Sequence, residues 1–278
     1  MPRITWALKR RIVFLMFVLL VVATYGQDIV VSQDKLDVGR PGKDVMWVPS
    51  PDSLVEAMLD LAEVNADDVV MDLGSGDGRT VIAAAQRGAK AVGIEYDSEL
   101  VELSRAYAHA AGVAAKTDFI VADLFEIDLS EATVVTMFLL PDLNVKLRPK
   151  LLQLRAGTRV VSNTWDLEEW KADDTVVLDP CPGFCMAHLW IVPARVEGAW
   201  DVNGDVLRLK QRFQTISGVL EANGELGPIT EGLLRGDQID FRVGEARYTG
   251  RIDGSRIHGM VDIGGDVNEW LATQVSNE

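Results

Sequence analysis

The chain has 278 residues, enough for one large or two modest domains, each with its own core. Its 27 Lys and Arg against 42 Asp and Glu leave a formal charge of −15, which argues against a nucleic-acid substrate because neutralising phosphates takes basic surface. Only two cysteines occur, Cys181 and Cys185, so the second cysteine pair of a structural metal site is missing and no metal is expected.

Arg3, Lys9, Arg10 and Arg11 precede an uninterrupted apolar run from Ile12 to Ala23. The run is short for a bilayer span and has the form of a secretory h-region, with small residues at Ala23 and Gly26 for cleavage. Residues 1–26 are therefore read as a signal peptide or an uncleaved membrane anchor. Either one puts the body of the protein outside the cytoplasm, in the periplasm or the extracellular space, with membrane association in the anchored case. Residues 27–47 read as a polar linker.

Ser50 is expected to cap a helix over 51–63, with Pro51 at its first position and Leu54, Met58, Leu61 and Ala62 on one face. Strands follow at 68–73, 90–95, 117–122, 132–138 and 158–164, with helices at 79–87, 98–111 and 142–154. Such alternation gives a parallel α/β sheet with helices on both faces, and two more strands near 174–178 and 187–192 complete seven. Between these last two, the Pro182-Gly183 turn can bring Cys181 and Cys185 together in an oxidising compartment; disulfide and free thiols both stay open.

The most telling stretch is VVMDLGSGDGRTVI at 69–82, an apolar strand running into Asp72 and the alternating glycines Gly74, Gly76 and Gly78. Strand, glycine turn and helix N-terminus make a nucleotide site at the carboxyl edge of an α/β sheet. The dinucleotide fingerprint G-x-G-x-x-G would need a glycine where Arg79 stands. Asp72 and Asp77 would repel pyrophosphate oxygens and suit a cationic ligand without phosphate, such as S-adenosylmethionine (SAM). Glu95, ending the second strand, can accept two ribose hydroxyls, and Asp123, ending the third, can accept an adenine amine.

After Pro193 the pattern changes to short alternating apolar runs separated by Asn-Gly, Asp-Gly and Gly-Gly turns. Roughly eight short strands at even spacing suggest a small antiparallel barrel or sandwich. The domains are accordingly placed at 48–194 and 195–278. The Arg235-Gly236-Asp237 triplet reads as a turn rather than an adhesion motif.

VVMDLGSGDGR, VGIEYD and VADLF, in that order, resemble the first three motifs of class I SAM-dependent methyltransferases. With VPSPDSLVEAMLDLA at 48–62 and LLPDLNVKLRPKLL at 139–152, the resemblance sharpens. It points to the seven-β-strand lysine methyltransferases related to the mitochondrial enzymes acting on the ATP synthase c-ring protein and the adenine nucleotide translocase, and to their bacterial homologues. This resemblance covers about residues 47–192 and implies a Rossmann-like methyltransferase sheet. It implies that Asp72 and the turn of Gly74, Ser75, Gly76 and Gly78 hold the methionine part of SAM. Glu95, with Tyr96 beside it, would bind the ribose, and Asp123 and Leu124 the adenine.

Phe138 to Pro141 closes the fourth strand, where related enzymes present their acceptor groove; Phe138 stands where the family often has tyrosine. Asp142, Asn163 and Trp165 are the candidate catalytic residues, with Asp166 next to them and Trp47 as a second aromatic wall for a cationic amine. The expected activity is methyl transfer from SAM to an amine, a protein lysine included. Two alternatives stand beside it: a small-molecule O- or N-methyltransferase, and a non-catalytic binding protein that works through its β domain.

Overall fold

The computed structural model describes residues 47–181 and 183–275. The segment read as signal peptide or anchor, and the linker up to residue 46, lie outside the described residues. Among the described residues no helix is long and apolar enough to cross a membrane.

The short apolar runs become seven strands: β1 (Val69–Leu73), β2 (Lys90–Glu95), β3 (Thr117–Val121), β4 (Val134–Met137), β5 (Arg159–Asn163), β6 (Asp174–Val177) and β7 (Met186–Ile191). They form one sheet in the order β3-β2-β1-β4-β5-β7-β6. The first five pair in parallel, but β7 is antiparallel to both β5 and β6. The expected seven strands are thus present, parallel where strands and helices alternate and antiparallel at this edge, whose orientation the alternation does not set. The connection over residues 178–185 is too short for a helical crossover, so the chain returns as a hairpin.

Among the described residues four α-helices cover the sheet: α1 (Asp52–Leu61), α2 (Arg79–Gln86), α3 (Ser98–Ala110) and α4 (Pro141–Leu151). Leu54, Met58, Val81, Ala84, Val101 and Ala108 from α1 to α3 share a core with Val70, Val134 and Val161 of the strands. On the other face Leu147 and Leu151 of α4 pack with Val135, Met137, Val160, Trp170 and Trp190. Strand order reverses between β1 and β4, which opens a crevice above their carboxyl ends.

One cap differs from expectation. Pro51, not Ser50, precedes the first helical residue of α1, and no side chain caps it. The Ser50 hydroxyl instead accepts a hydrogen bond from Asn163 Nδ2 at 2.9 Å, a bond to the end of β5 that no local pattern reveals.

The remaining strands are β8 (Gly198–Val202), β9 (Asp205–Arg212), β10 (Thr215–Ala222), β11 (Glu225–Arg235), β12 (Gln238–Val243), β13 (Ala246–Asp253), β14 (Arg256–Ile263) and β15 (Asp266–Gln274). They close into a barrel, so the barrel alternative holds and the sandwich does not. Two-residue turns such as Asn203-Gly204 and Asn223-Gly224 carry positive φ at both residues, the geometry whose twist matches the flanking strands. The interior is filled by side chains: Phe241 stacks on Tyr248 at 4.9 Å, and Trp270 stands edge-on to both.

The barrel docks on the sheet through two of its turns. In the β9–β10 turn Phe213 stacks on Trp170 at 6.2 Å, while Gln214 Nε2 donates to the Lys171 carbonyl at 2.8 Å. In the β11–β12 turn the Gly236 carbonyl accepts from Ala194 N at 2.8 Å, and a Cβ on Gly236 would come within 3.1 Å of Gly157 Cα. The Arg-Gly-Asp triplet is thus a docking turn.

Candidate active site

β1 delivers Asp72 to the carboxyl edge of the sheet, and the chain then turns through residues 74–78 into α2. Two glycines of this turn have no substitute. Gly76 has φ +54°, and a Cβ there would overlap the Trp47 indole; Gly78 has φ +80°, and its Cβ would meet Phe119 and Ser104 at 2.7 and 2.8 Å. Ser104 Oγ on α3 donates to the Gly76 carbonyl at 2.9 Å and ties the turn down.

Asp72 is buried, and its Oδ1 accepts from Thr136 Oγ1 of β4 at 2.7 Å. Burial pushes its carboxyl up to about 7; the Thr136 hydrogen bond opposes the rise, and the charges of Glu95 and Asp77 add to it. Among the described residues no cation pairs with it. Glu95 uses both oxygens on the backbone, accepting from Gly76 N at 3.0 Å and from Asp97 N at 2.9 Å. A carboxylate has about four lone-pair sites, so each oxygen keeps one for a ribose hydroxyl. Tyr96 lies next to it, 71% exposed.

Asp123 follows β3 on the surface, where Oδ1 accepts from Phe125 N at 2.8 Å and leaves the other oxygen for an adenine amine. Leu124 beside it is half-buried. This segment is held from α4: Lys150 Nζ donates to the carbonyls of Phe125 (2.9 Å) and Ile127, and Lys146 Nζ lies 3.9 Å above the Phe125 ring. Burial lowers the Lys150 ammonium from its ordinary range.

The Ser75 hydroxyl completes the turn, buried and without a hydrogen-bond partner among the described residues. An uncompensated buried acid, a second carboxylate with spare lone pairs and an orphan hydroxyl are thus left along one crevice. SAM fits them: its ammonium suits Asp72, its ribose hydroxyls Glu95 and its adenine amine Asp123.

The role given to Asp77 is corrected. Arg79 forks onto it, with Nε to Oδ1 at 3.0 Å and Nη2 to Oδ2 at 2.6 Å, so its carboxylate is paired within the turn and not turned to a ligand. Arg79 Nη1 also donates to the Ser50 carbonyl at 2.8 Å. The residue that breaks the dinucleotide fingerprint therefore anchors the segment entering α1. Asp-x-Arg spacing was the available signal.

The candidate acceptor residues gather on the neighbouring edge. Leu139 follows β4 and touches the cofactor turn, lying 3.0 Å from where a Gly74 Cβ would stand. Asp142 is exposed in the first turn of α4, where its charge favours the helix dipole. Asn163 is fully buried, with Nδ2 on Ser50 and Oδ1 accepting from Thr164 Oγ1 at 2.8 Å. One hydrogen bond at each end of its amide ties it to Ser50 and Thr164, which leaves one N–H of Nδ2 and one lone pair of Oδ1.

Trp165 is 37% exposed. Trp47 packs on Gly76, and no ring contact joins it to Trp165 among the described residues. Asp166 lines an open cleft of about 580 Å³ with Glu168, Glu169, Lys171 and Arg212, at the junction with the barrel. Asn144 is the asparagine of the LLPDLN run, to which the sequence alone assigns no role. Its Nδ2 donates to Ser162 Oγ at 3.2 Å and the Trp165 carbonyl at 3.1 Å, fixing α4 to the acceptor edge.

Comparison with known proteins bears on this arrangement. The family described as the ANTKMT methyltransferase domain matches residues 72–174. A protein-lysine N-methyltransferase of Saccharolobus islandicus is 42% identical over 138 residues, 49% of this chain and 86% of the relative. The mouse adenine nucleotide translocase lysine N-methyltransferase is 38% identical over 129 residues, covering 46% of this chain and only 56% of that protein. Among solved structures, an RNA methyltransferase from Salinibacter ruber in complex with S-adenosyl-L-homocysteine is 49% identical, with a TM-score of 0.51 over 54% of this chain and 96% of that one. The family match ends before the barrel begins at Gly198.

Proposed function

We propose that this chain, which belongs to the family of SAM-dependent methyltransferases containing these protein-lysine enzymes, transfers its methyl group to the ε-amine of a protein lysine. When bound, SAM supplies a methyl group activated by the sulfonium, open to in-line attack. The chain contributes position and environment. Asp72, Glu95 and Asp123, at three successive strand ends, hold the donor over β1 and β2, with the crevice beside β4 left for the acceptor. A lysine amine must be neutral to attack. Phe138, Leu140 and Trp165 surround its path with apolar surface, which disfavours the ammonium and lets the proton pass to water before transfer.

The observation that carries the lysine reading is the 42% identity to a protein-lysine methyltransferase across 86% of its length. RNA, the acceptor named for the Salinibacter protein, is disfavoured by the charge of −15. Two basic residues of α4 also weigh against it, because Arg148 and Lys150 are turned onto the backbone carbonyls of Leu167 and Phe125. The test is mass spectrometry of proteins, RNA and small molecules from cells with and without the enzyme. Methyl groups on lysine that vanish with the enzyme are expected; methyl groups lost only from RNA or small molecules would refute it.

The same reading extends to export. The charged and apolar run of residues 1–26 supports it, as does the link between Cys181 and Cys185, whose Cα atoms lie 5.5 Å apart, because such bonds persist in oxidising compartments. Fusing the first 27 residues to a reporter active only outside the cytoplasm is expected to give signal. A silent reporter would return the enzyme to the cytoplasm, where its cofactor is made.

A further inference from the structure

The hairpin that turns the sheet back on itself ends above the acceptor side of the crevice. β6 runs parallel to β5, so the connection from Leu178 to Cys185 lies at the same carboxyl edge as Phe138 and Trp165. Three features hold it there. The Cys181–Cys185 disulfide closes its tip, Leu178 N donates to the Cys185 carbonyl at 2.8 Å, and Thr164 N donates to the Met186 carbonyl at 2.8 Å.

Within this small loop Phe184 adopts φ +51°, an uncommon conformation for a bulky residue, and its ring is 43% exposed. The ring stands edge-on to Phe138, with centroids 5.1 Å apart. Phe138 adjoins Leu139, and Leu139 touches the cofactor turn at Gly74. A continuous path therefore runs from Gly74 through Leu139 and Phe138 to Phe184. Leu140, Trp165 and Met186 are also exposed along this edge, at 47%, 37% and 36%. So much large apolar surface facing water at a ligand edge marks a contact surface.

We infer that Phe184, held by the Cys181–Cys185 bond, is a specificity-determining residue of the acceptor site that selects a lysine flanked by apolar residues. The inference rests on the lysine reading proposed above. The Phe138–Phe184 pair forms one wall, against which the lysine stem and the side chain next to it lie. A polar or glycine neighbour leaves that wall wet, whereas a leucine neighbour covers it. The disulfide acts as a positioning element: the two backbone hydrogen bonds hold the ends of the loop, and the disulfide closes the tip that carries Phe184.

The probes are two capped peptides with a central lysine, one flanked by leucines and one by glycines. With full-length enzyme, the leucine-flanked peptide is expected to be preferred by about tenfold in kcat/KM, consistent with burial of one or two apolar side chains. Phe184→Ala is expected to reduce the preference to within about twofold, through KM for the leucine-flanked peptide, with SAM affinity by calorimetry unchanged. Phe184→Trp is expected to keep the preference, and the double variant Cys181→Ser/Cys185→Ser to lose part of it. No preference in the wild type, or a preference equal in wild type and Phe184→Ala, overturns the inference.

Calorimetric binding of the same peptides to protein loaded with S-adenosylhomocysteine separates the two claims. Binding of the leucine-flanked peptide that needs Phe184, without methyl transfer, upholds the wall and contradicts the lysine acceptor. Binding of neither peptide overturns the wall.

Discussion

Replacing Asp72 by Asn is expected to weaken SAM binding by about 100-fold or more while making the cofactor-free protein more stable above neutral pH. Burial raises the Asp72 carboxyl from 3.8 to about 7 in the folded state. Between these values the folded protein holds a proton that the unfolded chain has released, so its stability falls as pH rises through that window. The loss is complete above pH 7 and on the order of 4 kcal/mol. Asn removes the charge and keeps the shape, although its amide brings donors that find no acceptor, so a net gain of about 1–3 kcal/mol at pH 8 is expected.

Urea unfolding at pH 5 and pH 8 measures this directly, and the gain should be largest at pH 8. Calorimetry should show SAM affinity down by about 100-fold or more, the usual result of removing one partner of a buried charge pair. In the wild type, affinity should climb by up to tenfold per pH unit until about 7 and then level, because Asp72 must release its proton to face a cation. A flat profile, or a variant less stable than wild type at pH 8, would show that Asp72 is not held as an uncompensated acid.

The second large effect belongs to stability. Trp170 is fully buried, stacks on Phe213 of the barrel and lies 6.2 Å from Trp190 of β7. Its carbonyl also accepts from Trp190 Nε1 at 2.7 Å. Trp170→Ala should cost about 3–5 kcal/mol, the range for emptying a large aromatic site in a core. Because the same ring seats the barrel turn, unfolding followed separately by far-UV circular dichroism and tryptophan fluorescence should lose its single transition. A cost under about 1 kcal/mol would mean that barrel and sheet are joined elsewhere.

Those two residues differ in how far the sequence announces them. Asp72 sits in a pattern whose parts are all local: an apolar strand, an acid and glycines at alternate positions. Such patterns set dihedral angles and edges, so the sheet and its helices follow from periodicity alone, as does the series of two-residue hairpins in the barrel. Trp170 sits in no pattern. Its meaning comes from Phe213, brought to it by the closure of a domain that begins at Gly198. Ser50 is the same kind of case: its local context says cap, and a residue from β5 claims its hydroxyl.

Orientation at the β6–β7 edge and the pairing of Arg79 with Asp77 lie between these extremes. A short connection and an Asp-x-Arg spacing carry the information, and the physics of reach and charge is enough to read it. What no local rule supplies is the acceptor edge. Phe138, Trp165 and Phe184 come from three separate strand ends, and only the strand order brings them to one side of the crevice.

The proposed function puts SAM over β1 and β2 and a protein lysine over β4 and β5 of one crevice. The most direct test incubates purified enzyme with isotopically labelled SAM and the membrane and secreted proteins of cells lacking it, then locates the label by peptide sequencing. Label on lysine side chains that disappears with Asp72→Asn is the expected result. Label on RNA, on small molecules or on other side chains, with none on lysine, would contradict it.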